Sequence, residues 1–127
     1  MRIGELAKAA SMPEKTIRYY ESRGLILSPP REENGYRRYG QHDLDDLIFI
    51  RRCRELGISL NDIRQLLEVR SQRGSTCVSV DKIIGRQLER VRSALRELQA
   101  LEATLNDLKG CNGETVDNCR ILKKLGK

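Results

Sequence analysis

The sequence predicts a mainly α-helical protein, and three observations carry that expectation. Apolar residues recur at helical spacing through most of the 127 residues. A long stretch from about Val80 to Lys109 repeats Ile84, Leu88, Val91, Leu95 and Leu98 in alternating steps of four and three, continued by Leu101, Leu105 and Leu108 after one three-residue step in place of four. That is a coiled-coil stripe with a stammer. Strand signals are confined to one short region that contains Asn34-Gly35, a strong hairpin dipeptide.

Length allows one domain with a modest core. Hydrophobic content is 39% and charged content 33%. No apolar run approaches the roughly 20 residues of a spanning helix. The opening residues carry Glu5 and Lys8 where a secretory signal needs an apolar region. A cytoplasmic protein with no membrane partner is expected. There, the four cysteines are expected as metal ligands, reactive thiols or buried residues rather than disulfide partners. The net charge of +6 favours a polyanionic partner.

Ile3, Leu6, Ala7 and Ala10 predict a first helix. Ser11, Pro13 and Glu14 fit a capping box for a second, from about Met12 to Arg23, with Gly24 ending it. Two short helices across a tight turn form a helix-turn-helix. The second presents Lys15, Thr16, Arg18, Tyr19 and Arg23, groups that suit a DNA groove and its phosphates. Ile17 and Tyr20 are its apolar side. Leu25, Ile26 and Leu27 read as a short strand, and Tyr36-Arg37-Arg38-Tyr39 as a basic, aromatic strand after the hairpin turn. Such a hairpin is a wing, with its arginines reaching phosphate.

Leu44, Leu47, Ile48, Ile50, Cys53 and Leu56 predict a helix from Gln41 to Leu56, closed by Gly57. Arg51, Arg52 and Arg54 near its end either touch phosphate or cap the helix. Cys53 falls on the apolar side as a small core residue. Ser59 with Asp62 starts a further helix that turns Leu60, Ile63, Leu66 and Leu67 inward. A polar connection leads to the long helix. A lone helix cannot bury the long stripe, so a second copy is its expected partner. A two-fold dimer presents two heads to a palindromic site.

The tail holds Cys111 and Cys119 at the ends of a polar, Gly-containing loop, followed by Ile121, Leu122 and Leu125. Cys77 lies just before the long helix, where helix amides favour negative charge. Thiolates prefer soft metal ions. Two thiols across one loop can close on such an ion. A monovalent ion is satisfied by two thiolates in a linear site, whereas a third thiolate, were Cys77 to join them, favours a divalent ion. Oxygen from Asp117 or Glu114 could add to the ligand set. The sole histidine, His42, lies far from the loop in sequence. An enzyme is not expected: there is no CxxC pair, no phosphate-cradling glycine loop and no histidine near a nucleophile. A four-cysteine iron–sulfur cluster lacks its ligands, and the scarcity of aromatics argues against a drug pocket.

Ile3-Gly4-Glu5-Leu6-Ala7, Thr16-Ile17-Arg18-Tyr19-Tyr20-Glu21, Gly24-Leu25 and Arg31-x-x-Asn34-Gly35-Tyr36-Arg37-x-Tyr39 resemble the MerR family of bacterial transcriptional regulators. The resemblance runs on through Phe49-Ile50-x-x-Cys53-Arg54 to the end of the chain. It implies a winged helix-turn-helix head, a connecting helix pair, a long antiparallel coiled-coil dimerisation helix and a C-terminal metal-binding loop. The division expected is 1–70 for DNA binding and 71–127 for dimerisation and metal.

By position, the resemblance implies DNA contacts from Lys15, Thr16, Arg18, Tyr19, Tyr36, Arg37, Arg38 and Tyr39. It implies that Cys77 of one subunit joins Cys111 and Cys119 of the other around Cd2+, Pb2+, Zn2+ or Hg2+. The function it implies is promoter binding as a homodimer, with the promoter held inactive without metal. With metal, DNA is distorted so that RNA polymerase can use it. The copper-sensing branch has a similar seven-residue loop and normally a serine in place of Cys77, so a monovalent Cu/Ag/Au sensor is the alternative. Gly40 stands where the family often has a Ser or Thr N-cap, which glycine tolerates.

Overall fold

A computed structural model describes the chain except residues 28, 30–32, 34, 36, 37, 73–75, 111, 112, 114 and 127. The described residues form six α-helices and one 3-10 turn. They are α1 (Ile3–Ala10), α2 (Glu14–Ser22), α3 (Gln41–Glu55), α4 (Leu60–Ser71), α5 (Val78–Leu108), the turn Val116–Asn118 and α6 (Arg120–Leu125). No strand occurs among the described residues. The chain divides into two compact units, Met1–Ile84 and Gly85–Lys127.

The first unit is built by three helices that end in the same way. Ser11, Gly24 and Gly57 each adopt a left-handed conformation, with φ of 55°, 74° and 76°. After each comes an apolar residue whose amide bonds back to the helix: Met12 to the Ala7 carbonyl, Leu25 to Tyr20 and Ile58 to Cys53. Each pattern is a Schellman motif, which satisfies two orphan carbonyls and turns an apolar side chain inward. Leu25 and Ile58 are buried. Gly24 and Gly57 meet the backbone demand without a Cβ penalty.

This corrects two expectations. Ser11 does not cap α2. It ends α1, because one residue cannot hold both a left-handed C-terminal and an extended N-terminal conformation. Pro13, extended at φ −65° and ψ 149°, occupies the N-cap of α2 instead. Leu25, Ile26 and Leu27 do not form a strand. Leu25 and Ile26 are drawn into the core by the end of α2, and Leu27 is exposed. Leu56, expected on the apolar face of α3, is also exposed, because α3 ends at Glu55.

Leu6, Ile17, Leu47, Ile50, Ile58, Ile63 and Ile83 are the largest fully buried side chains. Ile83 comes from the start of α5 and belongs to this core. Its neighbour Ile84, on the coiled-coil stripe, is 44% exposed. Cys53 is buried as expected, and burial pushes its thiol pKa up. At α3, the Asp43 carboxylate accepts from the Gly40 amide at 2.8 Å, the half of a capping box that needs no N-cap side chain. At α4, the Ser59 hydroxyl accepts from the Asp62 amide at 3.2 Å, as the sequence predicts. Arg70 ties α4 to α3: it pairs with Asp46 at 3.2 Å and lies 4.8 Å over the Phe49 ring.

In the second unit α5 continues as one uninterrupted helix. Leu88, Val91, Leu95, Leu98, Leu101 and Leu105 are 45–62% exposed along it. The chain then returns through the 3-10 turn into α6. No helix among the described residues is long and apolar enough to cross a membrane.

Candidate nucleic-acid interface and metal loop

The face of α2 opposite Ile17 and Tyr20 is the polar surface of the head. Ile17 and Tyr20 are buried, so helical spacing turns Lys15, Arg18 and Tyr19 outward, with Thr16 half-buried between the two sides. Tyr19 is 50% exposed. Arg18 pairs with Glu14 at 3.8 Å, but both side chains are exposed and such a pair is worth little. The guanidinium is therefore easily redirected to a phosphate. Arg38 is also exposed. The remaining wing residues expected at this surface, Tyr36 and Arg37, and the turn residue Asn34, lie outside the described residues.

Tyr39 departs from the expectation. It is 3% exposed, and its phenol donates to the Glu21 carboxylate of α2. Its amide donates to the Met1 carbonyl at 2.6 Å, and its carbonyl accepts from the Met1 amino group at 2.7 Å. Its ring is thus a core strut between the chain start, α2 and the approach to α3, not a surface contact. The family resemblance, carried over by position, had placed it among the DNA contacts. The three hydrogen bonds that turn it inward come from residues remote in sequence.

The arginines of α3 divide by role. Arg51 donates to the Ala10 carbonyl at 2.6 Å, and Arg54 to the Ile58 carbonyl at 2.8 Å. Both hold helix ends, while Arg52 is exposed. Arg64 donates to the Arg23 carbonyl and so fixes the end of α2 from α4. The Arg51 and Arg64 links, each to a carbonyl 41 residues away, have no local sequence signature.

Cys77 is exposed and is the N-cap of α5, its carbonyl accepting from the Asp81 amide at 2.9 Å. Cys119 is half-buried and is the N-cap of α6, its carbonyl accepting from Lys123 at 3.1 Å. Cys111 lies outside the described residues. Among the described residues no three metal-ligating side chains gather. The donor chemistry nevertheless fits a soft ion: both described thiols are reachable, whereas Cys53 is sealed in the core. Asp117, a possible oxygen donor, is exposed in the 3-10 turn.

Arg120, which sequence reading passed over, makes a long-range contact in this unit. Its Nη2 donates to the carbonyls of Asp107 at 2.8 Å and Leu108 at 3.2 Å. The signal was present: the last turn of α5 carries no basic residue.

A family model described as MerR HTH family regulatory protein matches residues 1–69, and one described as MerR, DNA binding, matches residues 44–108. The transcription regulator PbrR691 from Ralstonia metallidurans CH34, solved in complex with lead(II), is 42% identical, with a TM-score of 0.88 over 98% of each chain. MerR from Bacillus megaterium MB1, solved in complex with the mercury(II) ion, is 35% identical, with a TM-score of 0.75 over 100% of each chain. The mercuric resistance operon regulatory protein of Bacillus cereus is 40% identical over 128 residues, covering 99% of this chain and 97% of its own length.

Proposed function

This chain belongs to the MerR HTH family of regulatory proteins, and from that premise we propose that it is a homodimeric, metal-responsive transcriptional regulator whose effector is a soft divalent ion. As a member of that family it is a DNA-binding regulator and not an enzyme. It works in the cytoplasm on double-stranded promoter DNA and beside RNA polymerase. Residues 1–70 are the DNA-binding part and 71–127 the dimerisation and metal part.

The observation that carries the metal reading is the position of the reachable thiols at opposite ends of α5. A helix of 31 residues is about 46 Å long. One end of it cannot share an ion with its own far end. An antiparallel second copy brings Cys77 of one subunit to Cys111 and Cys119 of the other. The same copy covers the exposed stripe. Covering the exposed half of each leucine contributes on the order of 1 kcal/mol. The relatives solved with lead(II) and mercury(II) support the divalent class.

DNA is held by Lys15, Thr16, Arg18 and Tyr19 of α2 and by Tyr36, Arg37 and Arg38 of the wing, with Tyr39 anchoring the chain just after them to Met1 and Glu21. Lys15, Arg18 and the wing arginines contact phosphate and set affinity and register. The bound ion favours one arrangement of the two heads over another, and only that difference can switch the promoter. The promoter responds through deformation of its spacer.

The test is a titration of the reduced dimer with Pb, Cd, Zn, Hg and Cu(I), read by thiolate-to-metal absorption, with Cys77→Ser alongside. Tight divalent binding that weakens in the variant is expected. Strongest binding of Cu(I), unchanged in Cys77→Ser, overturns the divalent reading in favour of a monovalent sensor.

A further inference from the structure

Arg120 reaches back to the end of the long helix α5. Its Nη2 meets the Asp107 carbonyl at 2.8 Å, the Leu108 carbonyl at 3.2 Å and the Lys109 carbonyl at 3.5 Å. A helix leaves its last four carbonyls without intrahelical donors and carries partial negative charge there. The last turn of α5 has no basic residue of its own. A guanidinium supplies both donors and positive charge. Gly110 sits beneath it: a Cβ there would lie 3.8 Å from the Arg120 Nη2.

Arg120 is also the first residue of α6, and Cys119 is the N-cap of that helix. The arginine therefore ties the residue next to one thiol to the end of the helix that precedes the other. We propose that Arg120 is a positioning residue that holds the start of α6, and with it Cys119, against the end of α5 before any metal arrives, and so couples that thiol mechanically to α5. The inference rests on the metal-sensor reading, because it names the residue that prepares that site. A flexible loop must be ordered when it takes an ion, and prior ordering removes that cost from binding. Without the clamp, an ion drawing the thiols together would order the loop while leaving the end of α5 free.

The experiment compares the full-length wild-type dimer with Arg120→Ala, Arg120→Lys and Cys119→Ser. The first readout is hydrogen exchange of amides in residues 105–123 without metal. The second is affinity for Pb and Cd, read by thiolate-to-metal absorption. Faster exchange of the metal-free loop in Arg120→Ala is expected, with affinity reduced about tenfold, the size of a lost charge-assisted hydrogen bond. Arg120→Lys, which keeps the charge at the helix end, restores part of both. Cys119→Ser loses the absorption band and keeps the exchange pattern of the wild type.

Unchanged exchange and affinity in Arg120→Ala overturn the clamp. Altered exchange with unchanged affinity overturns its role in preparing the site. Failure of the wild type to bind any of these ions sinks the metal reading instead, while exchange still decides whether the clamp exists.

Discussion

The Arg51 guanidinium donates to the Ala10 carbonyl oxygen at 2.6 Å, so α3 closes the C-terminus of α1. The Schellman motif at Ser11 satisfies the Ala7 and Lys8 carbonyls, and Arg51 takes that of Ala10, the last residue of the helix. The contact is half-buried and charge-assisted, so its loss costs about 2 kcal/mol. Arg51→Ala is expected to lower the unfolding free energy by that amount, read as a lower urea midpoint with an unchanged slope. Arg52→Ala, one residue on and exposed, is expected to stay within about 0.5 kcal/mol of wild type.

Tyr39 and its surface neighbours separate stability from DNA contact. Tyr39→Phe removes the bond to Glu21 and is expected to cost about 1 kcal/mol of stability. It leaves the dependence of DNA affinity on salt unchanged. Lys15→Ala and Arg38→Ala each reduce that salt slope by about one if each contacts phosphate. Fluorescence anisotropy with a promoter duplex over a salt series checks all three.

Cys53 gives the head a dependence on alkaline pH. Burial pushes its thiol pKa up, against a smaller opposing pull from Arg70. Unfolded, the thiol ionises above about pH 8.5. Above that point the folded state holds its proton while the unfolded state loses it. Stability from this group is therefore complete below the unfolded value and lost as pH rises towards the folded one. Urea melts from neutral pH upward are expected to show the decline in wild type and a flatter profile in Cys53→Ala. In the native protein, a thiol reagent modifies exposed Cys77 quickly and Cys53 only on unfolding.

The charges of α5 are segregated. Residues 82–96 carry Lys82, Arg86, Arg90, Arg92 and Arg96 against Glu89, while residues 97–108 carry Glu97, Glu102 and Asp107 with no Lys or Arg. An antiparallel pair sets the basic half of one helix against the acidic half of the other, and a parallel pair sets like against like. Glu97→Lys/Glu102→Lys is expected to weaken the dimer at low salt, with the difference narrowing at high salt as the charges are screened. Sedimentation equilibrium at two ionic strengths reads this. A dimer equally stable at both, in both proteins, means that the leucine stripe alone holds it.

The sequence alone determined the helices, because their signals are local. Apolar spacing, the Ser59 cap and the glycines at 24 and 57 each act within one or two turns. That Cys77 and Cys119 lie outside the core, and that α2 turns a polar face outward, was legible for the same reason. Tertiary structure decided what depends on partners remote in the chain. Ser11 ends a helix rather than starting one, because backbone bonds to α1 compete for it. Leu25 and Ile26 enter the core as the end of α2 rather than as a strand, since no partner strand pairs with them among the described residues. Tyr39 turns inward because Met1 and Glu21 hold it there. Arg51 and Arg120 spend their charge on carbonyls 41 and 13 residues away. Periodicity reports which face of an element is apolar. It carries no information about which distant donor or acceptor the folded chain delivers to that face, and at those positions the folded arrangement set the outcome.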